Sequence, residues 1–138
     1  MIDWTEKFAR KAARRLAKER VGWFVTVGSD LVPQPRPVWF LFDGRTILIY
    51  SKPDARKIRH IAEHPNVSFF LNTDKEGDEV TVFIGKAAVD PAAPHANKMP
   101  AYLRRYRMGI AGLGKTPEKM ALEYSTAIRI APESLRGW

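Results

Sequence analysis

The chain has 138 residues, 45% of them hydrophobic and 11% aromatic, and a formal net charge of +8. That length fits one folded domain and is too short for two, and the apolar content excludes an intrinsically disordered chain. The absence of cysteine removes disulfides, thiolate metal sites and cysteine nucleophiles together and fits a reducing, cytoplasmic setting.

In chain order, "DWTEKFARKAARRLAKER" (3–20) reads as a helix, with Asp3 as N-cap and Glu6 completing a capping box. Trp4, Phe8, Ala12 and Leu16 form an apolar stripe. Lys7, Lys11, Arg14 and Lys18 line another face, with Arg10 and Arg15 beside them. The period then shortens. "GWFVTVG" (22–28), "RPVWFLF" (36–42), "TILIYS" (46–51), "VSFFLN" (67–72) and "EVTVFIGKAAV" (79–89) are rich in β-branched and aromatic residues, and turn formers separate them. Asp43-Gly44 marks a hairpin. "DARKIRHIAEHP" (54–65) predicts a short helix capped by Asp54. Residues 91–124 turn helical, and 125–138 carry a last strand and tail. The expected architecture is a single mainly β domain: a basic helix over 1–20, a closed antiparallel barrel over 21–90, then helical decorations and a final strand. No apolar run nears the ~20 residues of a membrane span.

The charge calls for a polyanionic partner: nucleic acid, an anionic membrane surface, or a phosphorylated or polycarboxylate small molecule. A basic solvated surface is the plainer reading. No recognition helix or RNA-binding signature is present, so nucleic acid is not expected. "GIAGLGKT" (109–116) matches the phosphate-loop pattern G-x-x-x-x-G-K-[ST], whose chemistry requires a buried strand before it and a helix after it. The preceding "YLRRYRM" is helical in pattern, and Thr116-Pro117 reads as an N-cap with proline at the first helical position. Lys115 then falls outside that helix, and the glycines serve a turn between two helices. A nucleoside triphosphate site is not expected there. His60 and His64 have a metal-binding spacing but no acidic or thiol partner to complete a site, and His95 has no neighbours of note.

Charge and aromatics converge in "PQPRPVWFLFDGRTILIYSKPDARKIRHIAEHPNVSFFL" (33–71). Ser51 ends a strand, and a helix whose first turn carries Arg56 and Lys57 follows at once. A hydroxyl, a helix N-terminus and two fixed cations suit a phosphate, and flat apolar surface beside them suits a planar ring. A solvated helix face accounts for the same residues, and the spacing leaves both readings open.

From about Val21 to the C-terminus the chain resembles the pyridoxamine 5′-phosphate oxidase-like flavin and deazaflavin proteins. The likeness is strongest to small actinobacterial members assigned to coenzyme F420. The segments "GWFVTVGSDLVPQPRPVWFLFDGRTILIYSKPDARKIRHIAEHPNVSFFL" and "YSTAIRIAPESLRGW" carry it through their order and spacing. The resemblance implies a six-stranded antiparallel split β-barrel of the flavin-mononucleotide-binding type with Greek-key connections, dimerised around a cofactor groove. It implies that Pro37, Val38 and Trp39 run beneath the ring, that Gln34 and Arg36 contact the ring or its side chain, and that Ser51, Arg56 and Lys57 hold the phosphate beside Tyr50. The oxidase's later basic substrate-binding residues have no counterpart, so pyridoxamine phosphate oxidation is not implied.

Two cofactors fit that resemblance, F420 and flavin mononucleotide. The resemblance itself favours F420, and charge is a second reason, because a run of bases including the N-terminal helix, Lys52, Arg59 and Lys98 would meet the carboxylates of the deazaflavin's oligoglutamate tail. The implied activity is hydride transfer between reduced F420 and a small unsaturated substrate, with Trp39, Tyr102, Tyr106 and Trp138 as candidate walls. A basic non-enzymatic binding module and a haem-binding variant using His60 or His64 are the alternatives.

Overall fold

The computed structural model describes Met1–Trp138. Its first helix, α1, spans Lys7–Lys18, four residues later than the sequence pattern places it, with Glu6 at the N-cap and no side-chain cap. The reason is local. Asp3 accepts from the Thr5 N–H (2.9 Å) and the Thr5 hydroxyl (2.6 Å), which leaves its carboxylate spent in a turn. Of the expected apolar stripe, Ala12 and Leu16 are buried, joined by Ala9 while Phe8 is half-buried, and Trp4, upstream of the helix, packs on Phe42 with ring centroids 5.2 Å apart.

The strands are β1 (Val21–Val27), β2 (Pro33–Trp39), β3 (Leu41–Phe42), β4 (Ile47–Ser51), β5 (Asn66–Leu71), β6 (Thr81–Val89) and β7 (Thr126–Gly137). They form one curled antiparallel sheet in the order β2-β1-β5-β6-β7-β4-β3. Helix α2 (Arg56–Glu63) joins β4 to β5, and a single 3₁₀ turn at Ala96–Lys98 leads into α3 (Pro100–Gly112) and α4 (Pro117–Glu123). None of the helices is long and apolar enough to cross a membrane.

Seven strands replace the expected six because the run from Pro33 to Phe42 breaks at Phe40. Phe40 is fully buried. Its N–H donates to the Tyr106 hydroxyl (2.9 Å), and its carbonyl lies 2.8 Å from the same oxygen. A side chain thus takes the place of a ladder partner. The proline-rich start is itself strand. Pro33, Pro35 and Pro37 pair with Val27, Val25 and Trp23 at the sheet margin, where a residue without an N–H costs no ladder bond. β7 also runs further than its apolar stretch, through a bulge where Gly85 faces Pro132. A Cβ on Gly85 would sit 2.2 Å from the Ala131 carbonyl oxygen. α2 begins at Arg56 with Ala55 as an uncapped N-cap. Asp54 is taken up in the turn closed by the Ala55 N–H on the Lys52 carbonyl (3.2 Å).

Two apolar clusters flank the sheet. Fifteen buried residues, Phe24, Phe40, Phe69, Phe83 and Ile128 among them, fill the interior under α1 and α2. Nine others lie between β4, β7 and the helices α3 and α4, including Tyr50, Tyr102 and Tyr106. β4 is buried along its whole length because Ile47 and Ile49 enter the first cluster while Leu48 and Tyr50 enter the second.

The basic face of α1 is thinner than its sequence. Arg15 turns inward, donating to the carbonyl of Asn72 (2.6 Å), to the Thr81 hydroxyl (3.0 Å) and to the Glu79 carbonyl, while Lys11 pairs with Glu79 at 3.0 Å. Both residues tie α1 to the hairpin between β5 and β6.

Candidate functional site

The site follows from how β2 and β4 approach each other. Trp39 at the end of β2 lies flat on Tyr106 of α3, with centroids 4.8 Å apart and planes 7° from parallel. Gly109, the first glycine of the phosphate-loop-like motif, makes this possible, since a Cβ there would come within 3.0 Å of the Trp39 ring. The rest of that motif is the end of α3, the turn to α4 and the α4 N-cap, where the Thr116 hydroxyl accepts from the Lys119 N–H (3.2 Å). Lys115 pairs with Glu123 instead of waiting for a phosphate. The motif is helix-packing geometry.

Between β2, the end of β4 and the start of α2 a cleft of about 470 Å³ opens. All nine residues that the resemblance singles out line it. Gln34, Arg36, Pro37, Val38 and Trp39 come from β2, Tyr50 and Ser51 from β4, and Arg56 and Lys57 from α2. Lys52 joins them, whereas Arg59, Lys98 and every cation of α1 lie elsewhere. Lys18 at the end of α1 and Arg20 just after it instead border a separate groove with Arg104 and Arg105. A continuous basic channel from the N-terminal helix into the cleft is therefore absent, because α1 packs on β3 and on the hairpin between β5 and β6.

The lining contains Arg36, Lys52, Arg56 and Lys57 and no carboxylate. None of the four enters any of the chain's salt bridges. Lys57 is half-buried. Burial first, and the nearby Arg36 guanidinium second, hold its pKa below the ordinary lysine value. The chain thus keeps an uncompensated ammonium at the cleft wall, an arrangement that an anion would relieve. Arg36 is steadied by the Pro35 carbonyl (2.8 Å) and the Gln34 side-chain oxygen (3.3 Å). The Ser51 hydroxyl donates to the Lys52 carbonyl (2.9 Å), leaving its lone pairs open. At the far rim Lys52 and Lys115 lie 5.6 and 5.3 Å from the centre of the Tyr124 ring.

Several lining residues escape the sequence reading, among them Thr26, Leu113, Met120 and Tyr124, and His60, read there only as a metal or haem candidate, lines the cleft too. Thr26 carries the one legible signal, a hydroxyl on the buried parity of β1, and its oxygen lies 2.9 Å from His60 Nδ1. The His60 ring presses on Gly28, where a Cβ would come within 2.8 Å of it. His60 is thus wedged in place by a threonine and a glycine, and no group of three His, Asp or Glu side chains gathers anywhere in the chain. Of the candidate wall aromatics, Trp39 and Tyr102 line the cleft, Tyr106 lies behind Trp39, and Trp138, which follows β7, is not among the lining residues.

Residues 8–138 match the family described as Pyridoxamine 5'-phosphate oxidase. Solved structures agree. A putative pyridoxamine 5'-phosphate oxidase from Listeria innocua is 22% identical with a TM-score of 0.68, covering 94% of this chain and 97% of its own. A protein described as an F420 reductase is 21% identical with a TM-score of 0.69, covering 89% and 94%. A heme storage protein from Vibrio cholerae is 15% identical with a TM-score of 0.63, covering 92% of each chain. Likeness at these identities speaks to fold alone. No curated protein matches the sequence.

Proposed function

The chain belongs to the pyridoxamine 5′-phosphate oxidase family and has its split-barrel fold, and from that premise we propose that it is an F420H2-dependent reductase. Its substrate would be a small unsaturated organic acceptor. The observation that carries the reading is the cleft itself: cations without carboxylates on one wall, and the flat face of Trp39 on another.

The donor set fits a phosphorylated planar coenzyme. Arg36, Arg56 and Lys57 would hold the phosphoryl group, with Ser51 accepting or donating beside them. Pro37, Val38 and Trp39 would form the bed of the ring, and Lys52 would face carboxylates of a tail. When bound, the reduced coenzyme supplies a hydride. The chain's own part is to fix the ring against β2, to keep water from its face, and to present the acceptor at the right distance. A second copy of the chain would complete the open side of the cleft, so the active form is a homodimer. Equilibrium sedimentation is expected to give about twice the 15.7 kDa chain mass. A purely monomeric protein would remove that element.

Flavin mononucleotide shares the phosphoryl group and the flat ring and is the second reading, so the test titrates both coenzymes in parallel by fluorescence. F420 is expected to bind more tightly. Replacing Lys57 by alanine is expected to weaken the preferred coenzyme by about 1.5–3 kcal/mol through loss of a charge-assisted contact. Absence of micromolar binding by either coenzyme would sink the reading, and an unchanged affinity in the variant would misplace the phosphate.

A further inference from the structure

Three tyrosines sit in the cluster beneath α3 and α4, and their hydroxyls have different fates. The Tyr50 hydroxyl donates to the Pro94 carbonyl at 2.6 Å. The Tyr106 hydroxyl is enclosed by the Phe40 N–H (2.9 Å), the Arg105 Nε–H (3.1 Å) and the Arg20 carbonyl (2.7 Å). Tyr102 is only 1% exposed, yet its hydroxyl makes no hydrogen bond within the chain. Every sealed polar side-chain atom of the protein has a partner, so this oxygen is not sealed, and the cleft is a space that Tyr102 borders. The ring is fixed, edge-on to Tyr50 (5.0 Å, 83°) and tilted against Tyr106 (4.8 Å, 48°). A fixed ring that lines the cleft thus carries one uncommitted hydroxyl.

We propose that the Tyr102 hydroxyl is the hydrogen-bond donor that recognises the acceptor, and that the acceptor is a conjugated carbonyl compound, an enone. This rests on the reading of the cleft as a coenzyme site. Burial, reinforced by the neighbouring phenols of Tyr106, Tyr50 and Tyr124, raises the Tyr102 pKa, so the group stays protonated and offers a proton at neutral pH. An uncharged donor among aromatic walls suits a neutral, planar, conjugated oxygen acceptor better than a carboxylate, whose charge the cations of the Arg36 and Lys52 rims would draw away. In the step, the acceptor's β-carbon would take the hydride that the bound coenzyme supplies, and the alkene pair would move toward oxygen. Tyr102 holds the resulting enolate oxygen, and the α-carbon takes a proton from water. The acceptor gains one hydride and one proton, and the coenzyme loses the same two.

Tyr102→Phe removes only the hydroxyl. With 2-cyclohexen-1-one as acceptor, kcat/KM is expected to fall at least tenfold while the coenzyme dissociation constant stays within twofold. The second readout needs no coenzyme. Infrared difference spectra of carbonyl-¹³C 2-cyclohexen-1-one with the wild-type protein are expected to show the C=O stretch displaced to lower frequency, and Tyr102→Phe to abolish that displacement. An unshifted stretch in the wild type, an identical stretch in both proteins, or turnover untouched by the substitution overturns the assignment. A variant that loses coenzyme affinity instead assigns the hydroxyl to the coenzyme and overturns it as well. Failure of the wild type to bind any coenzyme defeats the proposed function alone, and the infrared comparison still decides on Tyr102.

Discussion

The two clusters on either face of the sheet are built from different chemistry. The interior one is wholly apolar, fifteen buried residues led by phenylalanines and isoleucines. The one under α3 and α4 is smaller and built around three tyrosines, each with a polar end that has to be placed. Sealing an apolar ring needs only space, whereas burying a phenol fixes a direction as well. The first cluster therefore holds the barrel together, and the second aims groups at the cleft.

That contrast is open to being broken. The largest effect is expected in the interior, where Phe69 is fully buried with its ring against Gly22. Phe69→Ala should cost about 3–5 kcal/mol in denaturant unfolding, and a loss below about 1.5 would mean the interior is loosely packed. Within the tyrosine cluster the effects should divide. Tyr106→Phe strands the Phe40 N–H and should cost about 1–3 kcal/mol, whereas Tyr102→Phe strands nothing and should stay within about 0.5 kcal/mol of wild type. Equal losses at both positions would erase the distinction between a structural and an outward-directed hydroxyl.

The smallest effect is electrostatic and has two opposite signs. The Lys57 pKa is lower in the folded chain than in the unfolded one. Between the lowered value and the ordinary lysine value the unfolded state binds more protons, so stability is expected to rise with pH across that window. Coenzyme affinity is expected to fall over the same window as the ammonium discharges. Lys57→Met should flatten both trends, measured by chemical unfolding and by fluorescence titration. A trend of the same sign in both would argue that another group titrates.

Much of this is readable in the sequence, for identifiable reasons. Strand runs with period two, the Asp43-Gly44 hairpin and the Thr116-Pro117 cap are local signals, and each appears in the structure. Nine of the cleft's eighteen lining residues are those that the family resemblance implies, a likeness carried by the order and spacing of segments rather than by any one motif. What stayed hidden depends on long-range contacts. The break at Phe40 exists because Tyr106, 66 residues away, bonds its backbone. The inward turn of Arg15 depends on carbonyls of the hairpin between β5 and β6. Asp3 and Asp54 have the chemistry of helix caps but are held in turns just upstream of the helices. The free hydroxyl of Tyr102 is invisible in sequence, since it differs from Tyr106 only in what surrounds it.

The margins of the sheet set a limit on how copies of this chain can associate. At one margin Pro33, Pro35 and Pro37 return no N–H to an incoming backbone, and at the other β3 is two residues long. Neither rim offers a template on which a foreign strand would register and grow. Fibrillar stacking through main-chain pairing is blocked from both sides, and any assembly of the folded protein has to be written in side chains.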